Sequence, residues 1–472
     1  MTTLELIWWC VAGPILFWWV LLAFGSAMQA RKFAKLFERE PRQAFAEFRP
    51  PAAIIVPCKG ADPQLADNLA AILRQNYPAP YRLVLVAQSP DDPAVPIIES
   101  AIAAAANDPA AAPAELLISG DAPPNQGQKV HNQLIALRHL GLDQLAKPET
   151  QVEAKQSAAS DTPTTNNAPL TPDTALVFAD SDAVPGPDWL ANLIGPLKQQ
   201  DKTAVTTGYR WLVPPPPHAA AEPLPGGEAA GIAQPHARPP HDPHPKITAI
   251  ASVMNSSVLS FAGTGKFNFA WGGSMAMLAR TAVEGDLLGM FDGALCDDYQ
   301  VTRMARKINK RVYFVHRCIV ASPDAWSYPG LRDFAYRQYM LTRKYFPGLY
   351  LLALAMLWAY PVGYAIVLAS PLLIYVDAIG GLPGILAGVS LVAVWCFDEI
   401  RHRHRLIAMS HALAAEVGER MKPVQKTDRS ATLVWMTLHA YLATRPLFSN
   451  VMTWRGITYR LHGPQRCERT TP

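Results

Sequence analysis

Charged residues are scarce in this 472-residue chain, because Asp, Glu, Lys and Arg make up only 17% of it. Its net charge at pH 7 is a modest +4. Proteins that bind nucleic acid through phosphate contacts carry a strong, clustered basic excess, so the sequence argues against a nucleic-acid partner. The basic residues stand instead beside apolar segments, as expected next to an anionic membrane surface.

Paired cysteines are also lacking. The six cysteines form no CxxC pair and no zinc-ligand spacing; they stand at positions 10, 58, 296, 318, 396 and 467. Disulfide-stabilised secreted domains and structural zinc sites both require such spacings. We therefore predict reduced thiols in a cytoplasmic setting.

Apolar residues, by contrast, are abundant and concentrated near the two ends of the chain. Residues 6–28 carry no charge, and a helix of that length spans a hydrocarbon core of about 30 Å. Basic residues follow this run, whereas a secretory signal places them before it, so we predict an uncleaved anchor over 1–29. Between 345 and 397 the only charged residue is Asp377, which predicts two further spans within 346–398.

The basic residues that flank these runs predict an orientation. They follow the first span, precede the second and follow the third, at 31–35, 343–344 and 401–405. The positive-inside rule places all three clusters in the cytoplasm. We expect a multi-pass protein of the cell inner membrane, with its middle region and its tail, 399–472, in the cytoplasm. The apolar stretch 431–451 in that tail favours an interfacial helix over a fourth span.

The middle of the chain alternates short apolar strands with helical patterns. Strands are predicted at 52–57, 82–87, 115–119 and 175–179, with helical spacing from 65 and from 129. Such alternation is typical of an α/β domain with a mostly parallel sheet, predicted here over 50–345. Two polar, low-complexity stretches, 143–174 and 214–245, are predicted to be surface insertions.

Acidic residues follow the predicted strands, at the edge where parallel sheets bind ligands. Asp180 and Asp182 come directly after a buried strand, and two carboxylates so spaced can hold Mg²⁺ or Mn²⁺ with a diphosphate. An isolated pair of this kind is more often a solvated turn, but the position of this pair after a buried strand favours the metal site. Asp92 is either a turn residue or an acceptor for a nucleoside. Lys129, near a helix start, is suited to contact phosphate, although a lysine in such a position is more often simply exposed.

A second acidic pair, Asp297 and Asp298, follows the segment Trp271–Met275. Such a pair at a helix start either caps the helix or supplies a general base that deprotonates an acceptor hydroxyl. We expect Asp297 to be the cap and Asp298 to be the base.

Taken in order, these segments resemble the ceramide glucosyltransferases, a family 2-like branch with a GT-A catalytic domain. The resemblance extends over roughly 50–345 and is carried by Lys59–Asp62, Asn76–Pro78, Gln88–Ala94, Gly127–Asn132, Asp180–Asp182, Gly272–Met275 and Asp297–Tyr299. It implies an α/β fold of the GT-A type with one N-terminal and two C-terminal transmembrane helices.

The resemblance also implies a reaction, namely the inverting transfer of a hexose, with glucose expected, from a UDP-sugar to the hydroxyl of a ceramide-like lipid. The implied cofactor is a divalent cation, Mg²⁺ or Mn²⁺, and the implied partners are the donor, the lipid and the bilayer. Asp298 maps to the base, Asp180 and Asp182 to the metal site, and Asp92 to the nucleoside. Donor contacts are predicted for Lys59, Asp92, Lys129, Asp180, Arg337 and Arg343.

One segment departs from the family, which carries an Arg/Gln-x-x-Arg-Trp motif before its C-terminal spans. Arg337 fits the first position, but Met340 and Leu341 stand where arginine and tryptophan are expected. Arg343 or Lys344, one helical turn away, is predicted to supply the missing charge to the donor diphosphate.

Other functions stay open at the level of sequence. A hopanoid or another lipid is a chemically similar acceptor, and UDP-GlcNAc is a second possible donor. A non-catalytic membrane scaffold is favoured by Met340 and Leu341 and opposed by the retained aspartates. A processive polysaccharide synthase is disfavoured, because three spans are few for a translocation channel.

Overall fold

The computed structural model describes residues 2–39, 43–61, 64–146, 169–182, 184–216, 243–263, 265 and 268–470. Most of both predicted insertions, residues 147–168 and 217–242, lies outside the described residues. Their assignment as surface insertions therefore stays a prediction.

The described part of the middle region contains a seven-stranded sheet. Its strands are β1 (Ala52–Pro57), β2 (Tyr81–Ala87), β3 (Ala114–Ile118), β4 (Ala175–Ala179), β5 (Thr203–Val213), β6 (Ser274–Leu278) and β7 (Arg311–Pro323). Their order is β3-β2-β1-β4-β6-β5-β7. The four strands predicted from the sequence are all present, with ends that differ by at most one residue, and the α/β class is confirmed.

The first four strands of this order are parallel. Strand β1 pairs in parallel with β2 and β4, and β2 pairs in parallel with β3, whereas β6 runs antiparallel to β4 and β5. The residues of β4 are buried on both faces, as expected for a strand between two helical layers. The carboxyl ends of β1, β2 and β4 therefore meet at one edge of the sheet.

Helices surround the sheet and extend beyond it. In the N-terminal half they are α1 (Thr3–Ile7), α2 (Gly13–Phe37), α3 (Gln43–Ala46), α4 (Leu65–Leu73), α5 (Val95–Ala106), α6 (Gln128–His139), α7 (Leu142–Leu145) and α8 (Trp189–Ile194). Those that follow are α9 (Pro245–Leu259), α10 (Ala279–Glu284), α11 (Leu287–Phe291), α12 (Asp297–Lys307), α13 (Tyr328–Tyr345), α14 (Pro347–Tyr375), α15 (Gly381–Ala412), α16 (Ala415–Arg420), α17 (Lys422–Ser430) and α18 (Thr432–Thr444).

Among the described residues, three helical segments are long and apolar enough to cross a membrane. They are Thr3–Phe37, in which a π-helical turn joins α1 to α2, Pro347–Tyr375 and Gly381–Ala412. Their number and order match the prediction of one N-terminal and two C-terminal spans. The third helix, Gly381–Ala412, continues beyond the predicted limit of 398.

The continuation of α15 buries two of the three arginines that were assigned to the membrane surface. Arg401 and Arg405 are only 2% and 6% exposed. Arg401 pairs with Asp398, and the Nη1 of Arg405 donates to Oδ1 of Asp428 on α17 at 2.8 Å. Because a buried charge needs a partner, these residues fasten α15 to α17, and of the three only Arg403 is exposed.

The tail after residue 412 is folded against the rest of the chain. Helix α18 packs on α13 and α14 with Trp435 and Leu442 buried; whether it also lies at the interface of a bilayer stays a prediction. A three-stranded antiparallel sheet, β8 (Val451–Trp454), β9 (Ile457–Gly463) and β10 (Arg466–Arg469), follows it. This sheet was not predicted from the sequence.

The packing of α2 on α14 depends on Gly363. A Cβ atom at this position would lie 2.4 Å from ring atoms of Trp19, which is fully buried. Gly363→Ala is therefore expected to lower the thermal midpoint of the detergent-solubilised protein, although alanine is the better helix former. In Gly388→Ala, where no atom lies within 4 Å of the added Cβ, the midpoint should be unchanged or higher. Equal midpoints for the two variants would contradict this packing.

Candidate active site

Loops after β1 and β2 form the first part of the site. The Oδ1 of Asp92 accepts hydrogen bonds from the backbone N–H groups of Gly60 and Ala94, at 2.8 and 2.9 Å. The Nζ of Lys59 lies 3.4 Å from Oε1 of Gln88. Two predicted donor residues, Lys59 and Asp92, therefore lie beside each other at the edge of the sheet.

Lys129 connects this edge to the acidic pair on α12. Its Nζ lies 2.7 Å from Oδ1 of Asp180 and 3.0 Å from Oδ2 of Asp297. Burial lowers the pKa of Lys129, but the two carboxylates outweigh burial and hold that pKa above its usual value. The lysine therefore stays charged and brings the end of β4 and the start of α12 together.

Three glycines allow this approach. A Cβ atom at Gly127, the residue before α6, would lie 2.8–3.0 Å from atoms of Leu295. At Gly272 it would lie 2.5 Å from Oδ2 of Asp297, and at Gly273 it would lie 2.7 Å from Oδ2 of Asp180. Any side chain at Gly272 or Gly273 would displace a carboxylate, which explains the glycine pair at the start of β6.

The two acidic residues of α12 have different surroundings. Asp297 is 2% exposed, and its Oδ2 also accepts from Nε2 of Gln133 at 2.8 Å. The expected capping role is not observed, because the N-cap is Cys296 and the cap makes no side-chain hydrogen bond. Asp298 is partly exposed. Burial and the charge of Asp297 raise the pKa of Asp298 to about 6, which suits a general base near neutral pH.

Two groups of carboxylates offer ligands for a divalent cation. Among the described residues, Cys296, Asp297 and Asp298 place ligand atoms within 4.8 Å of one another. Burial raises the pKa of the Cys296 thiol well above its usual value, so the loss of its proton, which binding to a metal requires, is unfavourable here. Asp180 and Asp182 offer oxygen ligands alone, with side chains 24% and 42% exposed. Mg²⁺ and Mn²⁺ prefer oxygen ligands, so the second pair fits such an ion better.

The two α13 arginines that were predicted to contact the donor contact the C-terminal region. The Nη1 of Arg343 donates to the carbonyl oxygens of Pro446 and Ser449, at 2.5 and 3.0 Å. The guanidinium of Arg337 lies 5.4 Å from the ring centroid of Trp454 on β8. Their predicted donor contacts stay predictions.

Met340 and Leu341, which replace the expected arginine and tryptophan, are buried against the same C-terminal sheet. Both are at most 3% exposed and belong to one apolar cluster with Met452 and Leu461. An arginine at position 340 would lack space and a counter-ion in this cluster. The departure from the family motif therefore coincides with the docking of β8 and β9.

Helix α13 also links the site to the second apolar helix. The hydroxyl of Tyr345, the last residue of α13, accepts hydrogen bonds from the N–H groups of Leu295 and Cys296, at 3.3 and 3.1 Å. Helix α14 begins two residues later, at Pro347. The loop that leads to Asp298 is thus attached to the start of a helix able to cross a membrane.

Two residues of the site were missed by the sequence analysis. Gln133 stands one helical turn after Lys129 on α6, and that spacing was a usable signal. Arg455, in the turn between β8 and β9, donates from Nη1 to the carbonyl oxygen of Lys59 at 2.7 Å. It lies 396 residues from Lys59 in the chain, and no local pattern marked it.

Comparison with known proteins supports the enzyme class. The sequence model of glycosyl transferase family 21 matches residues 16–137, a segment that contains Lys59, Asp92 and Lys129. The resemblance to ceramide glucosyltransferases is confirmed by this match, and so is the assignment of the chain as a glycosyltransferase. No curated protein matches the chain in sequence.

Solved structures of other proteins match the chain at low similarity. Mannosyltransferase PcManGT from Pyrobaculum calidifontis, in complex with GDP-Man and Mn²⁺, is 14% identical, with a TM-score of 0.42 over 92% of this chain and 99% of that one. Glucosyl-3-phosphoglycerate synthase from Mycobacterium tuberculosis is 11% identical, with a TM-score of 0.29 over 62% and 81%. TarS from S. aureus is 10% identical, with a TM-score of 0.26 over 89% and 60%.

The pairing of Lys129 with two carboxylates predicts a large loss of stability when the lysine is removed. Lys129→Met leaves Asp180 and Asp297 close together without a cation, which should lower the free energy of unfolding by about 3–5 kcal/mol. Denaturant unfolding in detergent, with chelator present, measures this change. Lys422→Met breaks an exposed pair with Glu419 and should cost at most about 1 kcal/mol. A similarly small loss in Lys129→Met would mean that the pairing of Lys129 does not hold the site together.

Proposed function

We propose that the protein transfers a hexose, with glucose the first choice, from a UDP-sugar to the hydroxyl of a membrane lipid, with inversion at the anomeric carbon. The observation that carries this proposal is the double contact of Lys129 with Asp180 and Asp297. Asp180 follows the strand where a nucleotide donor is expected, and Asp298 is the next residue after Asp297. A donor and a base are thus brought to the same edge of the sheet.

The donor half of the site consists of Lys59, Asp92, Lys129 and Asp180. Asp92 is proposed to accept from the nucleoside, and the two lysines to contact the diphosphate. Asp180 and Asp182 would hold Mg²⁺ or Mn²⁺, which would neutralise charge on the departing diphosphate. Lys129 is charged and close to Asp180, so it can contact a phosphate there at little cost in reorganisation.

The acceptor half is Asp298. Its carboxylate takes the proton of the lipid hydroxyl as the oxygen attacks the anomeric carbon. The bond between that carbon and the diphosphate oxygen breaks, and UDP leaves with the electron pair. Attack from the face opposite the leaving group inverts the anomeric configuration. A pKa of about 6 leaves Asp298 mostly ionised at pH 7 and still basic enough to accept the proton.

A lipid acceptor is supported by the position of the site along the chain. The hydroxyl of Tyr345 contacts the loop just before Asp298, and α14 begins at Pro347. If α14 spans the bilayer, its first turn lies near the membrane surface, where a lipid headgroup can reach the base. The same orientation would put the sheet in the cytoplasm, where UDP-sugars are available, and the spans in the inner membrane.

The acceptor and the sugar are identified together by one experiment. The protein is reconstituted with Mn²⁺ in vesicles that contain ceramide, diacylglycerol or a hopanoid polyol. UDP-glucose or UDP-GlcNAc is then added, and the lipids are analysed by mass spectrometry. We expect one added hexose on ceramide, and no UDP release without lipid. Transfer of GlcNAc to the hopanoid would correct the substrates, a polymer would favour a processive synthase, and donor binding without any transfer would favour a scaffold.

The base is tested by Asp298→Asn, which keeps the size of the side chain and removes its proton affinity. The turnover number should fall by about 10²–10⁴, while UDP affinity should stay within about threefold because Asp298 is not assigned to the donor. Asp292→Asn, at an exposed position just before the same loop, should behave like the wild type. An Asp298→Asn enzyme with full turnover would remove the catalytic assignment.

The metal is tested by chelation and by Asp182→Asn. Removal of divalent ions should abolish transfer, and the addition of Mn²⁺ or Mg²⁺ should restore it. In Asp182→Asn the Mn²⁺ concentration for half-maximal activity should rise about tenfold or more, as expected when one charged ligand is lost. Full activity in the presence of excess chelator would contradict a metal-dependent reaction.

A further inference from the structure

The turn between β8 and β9 places a long cationic side chain in an unfavourable backbone conformation. Arg455 and Gly456 form a two-residue turn in which both φ angles are positive, at 46° and 81°. Such turns favour asparagine or glycine at the first position, because other residues lose stability with positive φ. An arginine there suggests that its side chain serves a purpose other than the turn.

The turn reaches the proposed donor site. The Nη1 of Arg455 donates to the carbonyl oxygen of Lys59 at 2.7 Å, at the carboxyl end of β1. Its positive charge also acts on Asp180 and on the ammonium of Lys59. Arg455 therefore contacts the backbone of a lysine assigned to the donor, and its charge reaches the proposed metal ligand Asp180.

Residues of α13 in and next to the altered motif hold this turn in place. Arg337 stacks on Trp454, the residue before Arg455, and Arg343 fixes the segment that enters β8. Met340 and Leu341 form an apolar contact surface for β8 and β9. The family motif has an arginine followed by a tryptophan at positions 340 and 341. The tip of the hairpin carries the same two residue types in the reverse order, as Trp454 and Arg455.

We propose that Arg455 binds the diphosphate of the donor and that α13 acts as the support of the hairpin that carries it. This inference rests on the proposed function. Lys59 and Arg455 would then approach the diphosphate from the β1 side of the edge, while Lys129 approaches it from α6. Arg337 would be a positioning residue, which acts through Trp454 and makes no contact with the donor.

The direct test replaces Arg455 with asparagine, which suits a positive φ and precedes a glycine here, so the turn should be kept or improved. Affinities for UDP and for uridine are measured in the presence of Mn²⁺, with uridine read by competition. We expect Arg455→Asn to weaken UDP binding by roughly tenfold or more, to leave uridine unchanged and to leave the thermal midpoint equal or higher. Arg455→Lys should be intermediate.

The matched control is Arg460→Gln, which removes a cation from an exposed position on β9 and should leave UDP affinity unchanged. Unaltered UDP binding in Arg455→Asn would overturn the inference. An equal loss of affinity for UDP and for uridine would also overturn it, because the arginine would then act on the loop of Lys59 and not on the diphosphate. A wild-type protein that binds no UDP would instead refute the donor assignment of the proposed function, and this inference with it.

The supporting role of Arg337 is tested by a double-mutant cycle. Arg337→Gln alone should weaken UDP binding several-fold, because Trp454 loses its stacking partner and the tip shifts. In the Arg455→Asn background the same change should add little, since the residue it positions is already absent. Additive losses would contradict this role, because Arg337 would then act independently of Arg455.

Discussion

One ammonium group, that of Lys129, bridges two carboxylates that come from different parts of the chain. Asp180 ends a central strand and Asp297 begins a helix more than a hundred residues later, yet both lie within 3.0 Å of the same nitrogen. Without that charge, Asp180 and the buried Asp297 would repel each other and push the two parts of the site apart. Positions 272 and 273 are glycines because a Cβ atom there would occupy the space of the Asp297 or Asp180 carboxylate.

A second set of buried charges fixes the apolar helices to the folded domain. Arg401 and Arg405 extend α15 beyond its apolar part and pair with Asp398 and Asp428. From the sequence they are indistinguishable from arginines at a membrane surface, because burial depends on α17, which stands later in the chain. Through these pairs α15 is connected to α17, which packs on α9 beside the sheet.

The parts of this molecule that follow from local sequence were predicted well. Strands such as 52–57 and 175–179 are continuous apolar runs, and this pattern is typical of a strand that is buried on both faces of a sheet. The docking of β8 and β9 depends on contacts between residues more than a hundred positions apart, such as Met340 with Met452 in one apolar cluster. The place of Arg455 next to Lys59 has the same origin. Sequence reasoning therefore identified the acids of the site and missed the hairpin beside it.

The central claim is that the acidic edge of the sheet holds a cation and a nucleoside diphosphate together. The most direct measurement is a structure determined with UDP and Mn²⁺, in which the anomalous signal of manganese gives the position of the ion. The account predicts manganese on Asp180 and Asp182, with the diphosphate between Lys129 and Arg455. Manganese bound at Cys296 and Asp298, or UDP bound away from the ends of β1, β2 and β4, would contradict it.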